Sequence, residues 1–268
     1  MAFPTTIQGS PGFEKTVTTA RKHRIGQRME FPDGRVFYYA TSGEALTPGL
    51  LTMLPNPQTN HGFNVDTSAA ASAGATQIAL TNTNSAGNGA AVTGTGAYTG
   101  DFATAGTYED AYAFVNDGAG QGQLFQIKDH SSAVTGSSGT ITIDFYDNDG
   151  LDTAVTTASE WGLRKALYSD VEIWDISDVD GSVAGVCPST VASGSYFWCQ
   201  TAGPASVLQS GAIVAGTAVV ASIGGADGAI QTYDGDNSGN TYHTIVGTCI
   251  EVGTSDTEYA LIDLQVRY

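Results

Sequence analysis

GSYFWCQTAGPASVL, residues 194–208, is a run of aromatic, β-branched and small residues bounded by glycine. Read as a strand, it puts Tyr196, Trp198 and Gln200 on one face and Phe197 and Cys199 on the other. Phe197 and Cys199 are then adjacent core residues. The competing reading is a thiol nucleophile in an aromatic-walled site. That chemistry needs a nearby base and a lowered thiol pKa. The only histidines are His23, His61, His130 and His243, and none lies in a partner motif. Cys199 is therefore read as part of the wall of a buried strand.

The same texture extends to both sides of this stretch. From Trp161 onward, short β-rich units recur about every ten residues with turn signals between them, the spacing of a sandwich or barrel. Near the start, RMEFPDGRVFYYA predicts a hairpin, with Pro32, Asp33 and Gly34 as its turn. Between the two lies a region of different composition. ATQIALTN and GTITIDFYDNDG alternate, the latter with Ile141, Ile143 and Phe145 on one face. YEDAYAFVNDGAGQGQLFQIKDH reads as strand, turn, strand, while residues 81–107 are rich in Gly, Ala, Thr and Asn. The expected fold is all-β: a sandwich or barrel of short strands, an inserted second small β-domain, and an extended N-terminal arm. The arm is placed at residues 1–29, with one strand in EKTVTTARKHRI. The first strands of the main domain fall at 30–62, the insert at 63–160 and the rest of the main domain at 161–268. No strong internal repeat is present.

With 268 residues, the chain can bury a sizeable core without a metal or disulfide staple. Its net charge of −17 is unevenly spread. Residues 1–35 hold Lys15, Arg21, Lys22, Arg24, Arg28 and Arg35 against Glu14, Glu30 and Asp33. The remainder is strongly acidic, and no Lys or Arg occurs between Arg35 and Lys128. Such a body repels phosphate, so a nucleic-acid partner is not expected. The basic end suits an acidic partner surface. The odd set Cys187, Cys199 and Cys249 has no C-x-x-C and reads as reduced, buried thiols in a protein made in a cytoplasm. The opening MAFPTTIQGSPGF lacks the basic and apolar regions of a signal peptide, and no apolar run is long enough to span a bilayer as a helix.

Other chemistry was sought in the same way. The glycines at 118, 120 and 122 run into a strand and lack the Lys-Ser/Thr ending of a phosphate loop. Asp144, Asp147, Asp149 and Asp152, and the later YDGDNSGN, read as turns. The second run fails the calcium-loop pattern because Ile245 stands where the bidentate Glu should be. No hydrolase or metalloprotease motif is present. The expectation is a non-enzymatic protein with no cofactor and no metal site.

GQRMEFPDGRVFYYATSGEALTPGLL, VNDGAGQGQLFQIKDH, SYFWCQTAGPASVL and IVGTCIEVGTSDTEYALIDLQV resemble structural proteins of tailed bacteriophages. Residues 211–268 resemble the β-barrel of small head-decoration, or capsid cement, proteins: a Gly-bounded apolar strand, a Gly-rich turn and a terminal alternating strand. The length of the chain and its inserted region depart from that pattern. The resemblance implies a virion protein on the outer surface of the head, made in the bacterial host cytoplasm. It would bind the major capsid protein, assemble with itself, most often as a homotrimer, and stabilise the shell. It would bind neither nucleic acid nor membrane. On this reading the capsid contacts are Phe13 as an apolar anchor, with Lys15, Arg21, Lys22, Arg24 and Arg28 as charge anchors. The alternative is a tail, fibre or baseplate component binding host glycan or tail proteins, although no heptads or shaft repeats are seen. An enzyme has no motif in its favour, and a major capsid protein would need a long amphipathic helix that the sequence does not offer.

Overall fold

The Pro32-Asp33-Gly34 turn forms as its chemistry requires. The amide of Gly34 donates to Phe31 O (3.1 Å), that of Phe31 to Arg35 O (2.9 Å), and Asp33 Oδ1 accepts from the Arg35 amide (3.1 Å). In the computed structural model, which describes residues 6–54, 65–83, 108–131, 138–176, 182–233, 244–253 and 256–266, this hairpin opens an all-β chain. The described residues contain no α-helix and a single short 3-10 turn, Phe13–Lys15.

Two compact units divide the chain, and the second is inserted into the first in sequence: residues 1–56 with 167–268, and residues 57–166. The first four strands are β1 (Thr6–Gln8), β2 (Arg28–Glu30), β3 (Val36–Thr41) and β4 (Leu51–Met53). The insert holds β5 (Val65–Ala69), β6 (Gln77–Thr83), β7 (Tyr112–Asp117), β8 (Leu124–His130), β9 (Ser138–Phe145) and β10 (Glu160–Arg164). The chain then returns with β11 (Glu172–Ile173), β12 (Val183–Val186), β13 (Tyr196–Leu208), β14 (Ala218–Ala221), β15 (Ile230–Thr232), β16 (Ile245–Glu251) and β17 (Tyr259–Gln265).

The inserted unit is a closed six-stranded barrel in the order β10-β5-β6-β9-β8-β7. Closure removes both sheet edges. Inward residues alternate as read: Ile141, Ile143 and Phe145 of β9 are buried with Phe125, Ile127 and Leu80. The insert is longer than the 63–160 expected from composition. Trp161–Arg164 are expected in the main domain, but β10 pairs with both β5 and β7, and Trp161 is fully buried in the barrel core. The Gly-rich loop between β7 and β8 bonds to its own unit. Gly122 N donates to Val115 O (2.9 Å) and Ser159 Oγ to Ala119 O (2.8 Å), so the loop is a braced hairpin end rather than an anion cradle.

The first unit is one branched sheet of eleven strands. Its main path runs β1-β2-β3-β13-β17-β16-β14-β15, and β11-β4-β12 joins at β13. The branch point is the stretch 194–208. β13 pairs antiparallel with β3 up to Ala202 and with β17 from Ala202 onward, so one thirteen-residue strand serves two neighbours in turn. Gly203 makes the change of direction, with φ +80°. A Cβ there would come within 3.0 Å of Gly34 O, so backbone conformation and space both require glycine. The Gln200 side chain braces the bend, its Nε2 donating to Ala202 O (3.1 Å) and Pro204 O (2.8 Å). Beyond the bend, Ala205 and Val207 join Ile262, Leu264, Val219 and Val246 in the largest core cluster of this unit.

Residues 6–29 are turns, bends and irregular chain between β1 and β2, and are laid against their own unit. β1 pairs in parallel with β2, Ile7 packs against Met29 and Phe37, and Val17 and Ile25 pack beside Phe197 and Cys199. The strand expected in EKTVTTARKHRI does not form. Glu14 is buried and winds the chain into the 3-10 turn, its Oε2 accepting from Gly12 N (2.6 Å) and its Oε1 from Arg35 Nη1 (3.4 Å). Only Thr18 then bridges to Tyr196.

Candidate functional site

Cys199 sits where the alternation puts it, fully buried beside Phe197, Ala184 and Cys187. Its Sγ lies 3.6 Å from Thr52 Oγ1. Burial pushes its pKa up to about 12 and that of Cys187 to about 11. A thiol with such a value is ionised in about one molecule in ten thousand at pH 8, too few for a nucleophile. Both thiols should resist alkylation in the native protein and react only in denaturant, as read by intact mass.

The sign of the pH dependence follows. Below the ordinary thiol pKa the folded and unfolded thiols are both neutral, and no stability is lost. Above it the unfolded thiols ionise and the folded ones do not, so stability falls as pH rises. The loss is about 1.4 kcal/mol per pH unit for each thiol and stops near the folded values. Urea midpoints from pH 8 to 10.5 should therefore fall more steeply for the wild type than for a Cys187→Ala/Cys199→Ala double variant. Equal slopes would refute this.

The basic end is distributed over two places. Arg21, Lys22, His23 and Arg24 cross an aromatic floor. The His23 ring lies 5.0 Å from that of Tyr39 and 5.3 Å from that of Trp198, and Tyr39 Oη accepts from the Lys22 amide (3.0 Å). Arg21 Nε donates to His23 O (2.9 Å) and Arg24 O accepts from Gln27 N (3.0 Å). Partial burial holds the His23 pKa below its ordinary value of 6.5. Its contribution to stability is thus present above pH 6.5 and lost as pH falls below it. A proton NMR titration of the His23 ring should give a midpoint below that of an unfolded peptide. Arg28 is ion-paired with Glu30, so its charge is already offset.

Phe13 and Lys15 are elsewhere, on the 3-10 turn, and Lys15 lines a groove of about 570 Å³. Glu14 between them is anchored inward, which leaves the Phe13 side chain 56% exposed on a fixed mount. Arg35 stands behind the turn, bonded through Nε to Asp33 Oδ2 (2.8 Å) and lying 4.7 Å from the Phe31 ring centre. Across the groove Tyr259 is 48% exposed, and its ring lies over Gly49, where a Cβ would fall 2.8 Å from Cδ1. Thr47, Pro48, Pro188, Pro204 and Ser206 complete the walls. Of this lining, Lys15 is a contact expected from the sequence; Tyr259, Thr47 and Ser206 are not. Those residues come from segments far apart in the chain, and no local pattern connects them.

No set of three or more His, Cys, Asp or Glu side chains is grouped for metal binding among the described residues. His61, His243 and the 234–240 run of Asp, Asn and Gly lie outside the described residues. Asp147 Oδ1 accepts from the Asp149 amide (2.9 Å), the self-bonded turn expected there. The chain matches no family model, no curated protein and no solved structure.

Proposed function

We propose that the chain is a non-enzymatic structural protein of a tailed-phage virion. In this role it decorates the outer surface of the head by binding the major capsid protein and stabilises the shell. The observation that carries this reading is the Phe13–Lys15 turn. An exposed aromatic ring and a cation project from an all-β body, held by the contact of buried Glu14 with half-buried Arg35. Adhesion to a large surface is favoured by such a mount, because little side-chain or loop entropy is lost on docking. The charge layout supports the same reading. The body is strongly acidic, and its basic residues are concentrated at one end of the chain, suited to an acidic surface patch.

The test is the ratio of this protein to the major capsid protein in purified virions, by quantitative mass spectrometry. A ratio near one, or a simple fraction such as one third, is expected. A ratio of a few per cent would move the protein to the tail or to a single vertex, and absence would end the structural reading. Self-assembly, with a trimer favoured, is read independently from the mass of the isolated protein by light scattering.

A further inference from the structure

The groove beside the 3-10 turn has polar groups in two distinct states. Glu14, Arg35 and Gln200 are committed to partners within the chain. The ammonium of Lys15 and the hydroxyls of Thr47, Ser206 and Tyr259 make no hydrogen bond or ion pair among the described residues. All four can donate. The groove volume lies within the range of roughly 300–1,000 Å³ typical of ligand sites.

The walls also exclude one mode of recognition. Pro48, Pro188 and Pro204 supply no backbone N–H, and Pro204 O is already taken by Gln200 Nε2. The three prolines remove ladder donors from these walls, which disfavours a ligand adding as a strand. What remains is an aromatic ring, proline faces, side-chain donors and one cation without an ion pair among the described residues. A segment in the polyproline-II conformation has matching needs. Its carbonyls point outward without internal partners, its rings pack against aromatic and proline surfaces, and it is ordered before it binds.

We propose that this groove binds an extended, proline-containing peptide segment of a partner protein, with a carboxylate of that segment placed at Lys15. Charge complementarity selects the acidic segment. Arg35 is paired with both Asp33 and Glu14, whereas Lys15 has no carboxylate partner among the described residues, so its ammonium is the cation open to a ligand on a chain whose net charge is −17. The inference rests on the groove and holds whether or not the partner is a capsid protein.

The experiment uses the full chain and two fluorescein-labelled peptides, PPPEPPP and PPPKPPP, in fluorescence anisotropy titrations at moderate salt. The acidic peptide is expected to bind saturably and more tightly than the basic one. The net charge of the protein predicts the opposite order, so this outcome cannot arise from general electrostatics. Lys15→Gln should weaken the acidic peptide by about fivefold, as loss of an exposed ion pair allows, and should remove the preference between the two. Tyr259→Phe should weaken both peptides through loss of one donor. Three results would each overturn the proposal: no saturable binding of PPPEPPP, binding unchanged by Lys15→Gln, or a change in the oligomeric mass of the protein in Lys15→Gln without peptide, which would assign the groove to a second copy of the chain. Competition by a neutral oligosaccharide such as maltoheptaose would overturn it in favour of a glycan. None of these readouts involves a shell, so the head-decoration reading can stand or fall separately.

Discussion

Replacing Trp161 with alanine is expected to destabilise the inserted barrel by about 4 kcal/mol, the cost of truncating a fully buried large aromatic. Trp161 is the largest fully buried side chain among the described residues. Its ring lies 6.2 Å from that of Phe125 and 6.1 Å from that of Phe145, which stack on each other at 4.4 Å. Nε1 donates to Thr67 Oγ1 (3.0 Å), and Thr67 Oγ1 donates onward to Ser159 O (2.6 Å). The substitution therefore removes the centre of the core and one end of a buried hydrogen-bond chain that ties β10 to β5. A domain of ordinary size has only about 5–15 kcal/mol of total stability, so the loss is a large share of it. Hydrogen exchange in urea should show the amides of β5 to β10 losing most protection. Trp161→Phe keeps part of the volume and loses the hydrogen bond, and should cost about 1–2 kcal/mol. A change below about 1 kcal/mol for the alanine variant would mean that the barrel core is not organised around this ring.

The second large effect concerns binding. In the double variant Phe13→Ser/Lys15→Glu, affinity for undecorated shells is expected to fall by about thirtyfold or more. That corresponds to about 2 kcal/mol, the size of a single hot-spot anchor. The thermal midpoint should hardly move. Phe13 belongs to no core cluster, and exposed substitutions of this kind stay within about 0.5 kcal/mol. Removing residues 2–29 is the poorer experiment. It deletes β1 and takes Ile7, Val17 and Ile25 from their packing sites, so lost binding would be mixed with lost folding. Co-sedimentation with shells at graded salt reads the point variant directly. Binding that is unchanged across the salt series would dispose of the Phe13–Lys15 contact.

The anchors also show where local reasoning stops. A basic N-terminal segment is legible as composition. The structure divides it: Arg28 is offset by Glu30, His23 packs on Tyr39 and Trp198 between Arg21 and Arg24, and of the candidate anchors Lys15 lines the groove while Phe13 stands exposed on the same turn. Ion pairing and packing are decided by residues that share no sequence window, so charge counting cannot separate these roles.

Determined by sequence alone were the features that depend on near neighbours. The strand period placed Ile141, Ile143 and Phe145 in one core and Phe197 with Cys199 in another. Turn chemistry made the Pro32–Gly34 hairpin, and the absence of a base or motif beside Cys199 agreed with a thiol that burial keeps protonated. Tertiary structure alone decided which strand closes the barrel, because β10 finds its partners in β5 and β7 and not in its sequence neighbours. It alone turned EKTVTTARKHRI away from a strand, since burying Glu14 against Arg35 outweighs the local preference to extend. The groove belongs to the same class. Lys15, Pro48, Pro188, Pro204 and Tyr259 meet only because β13 bends at Gly203 and changes partner from β3 to β17.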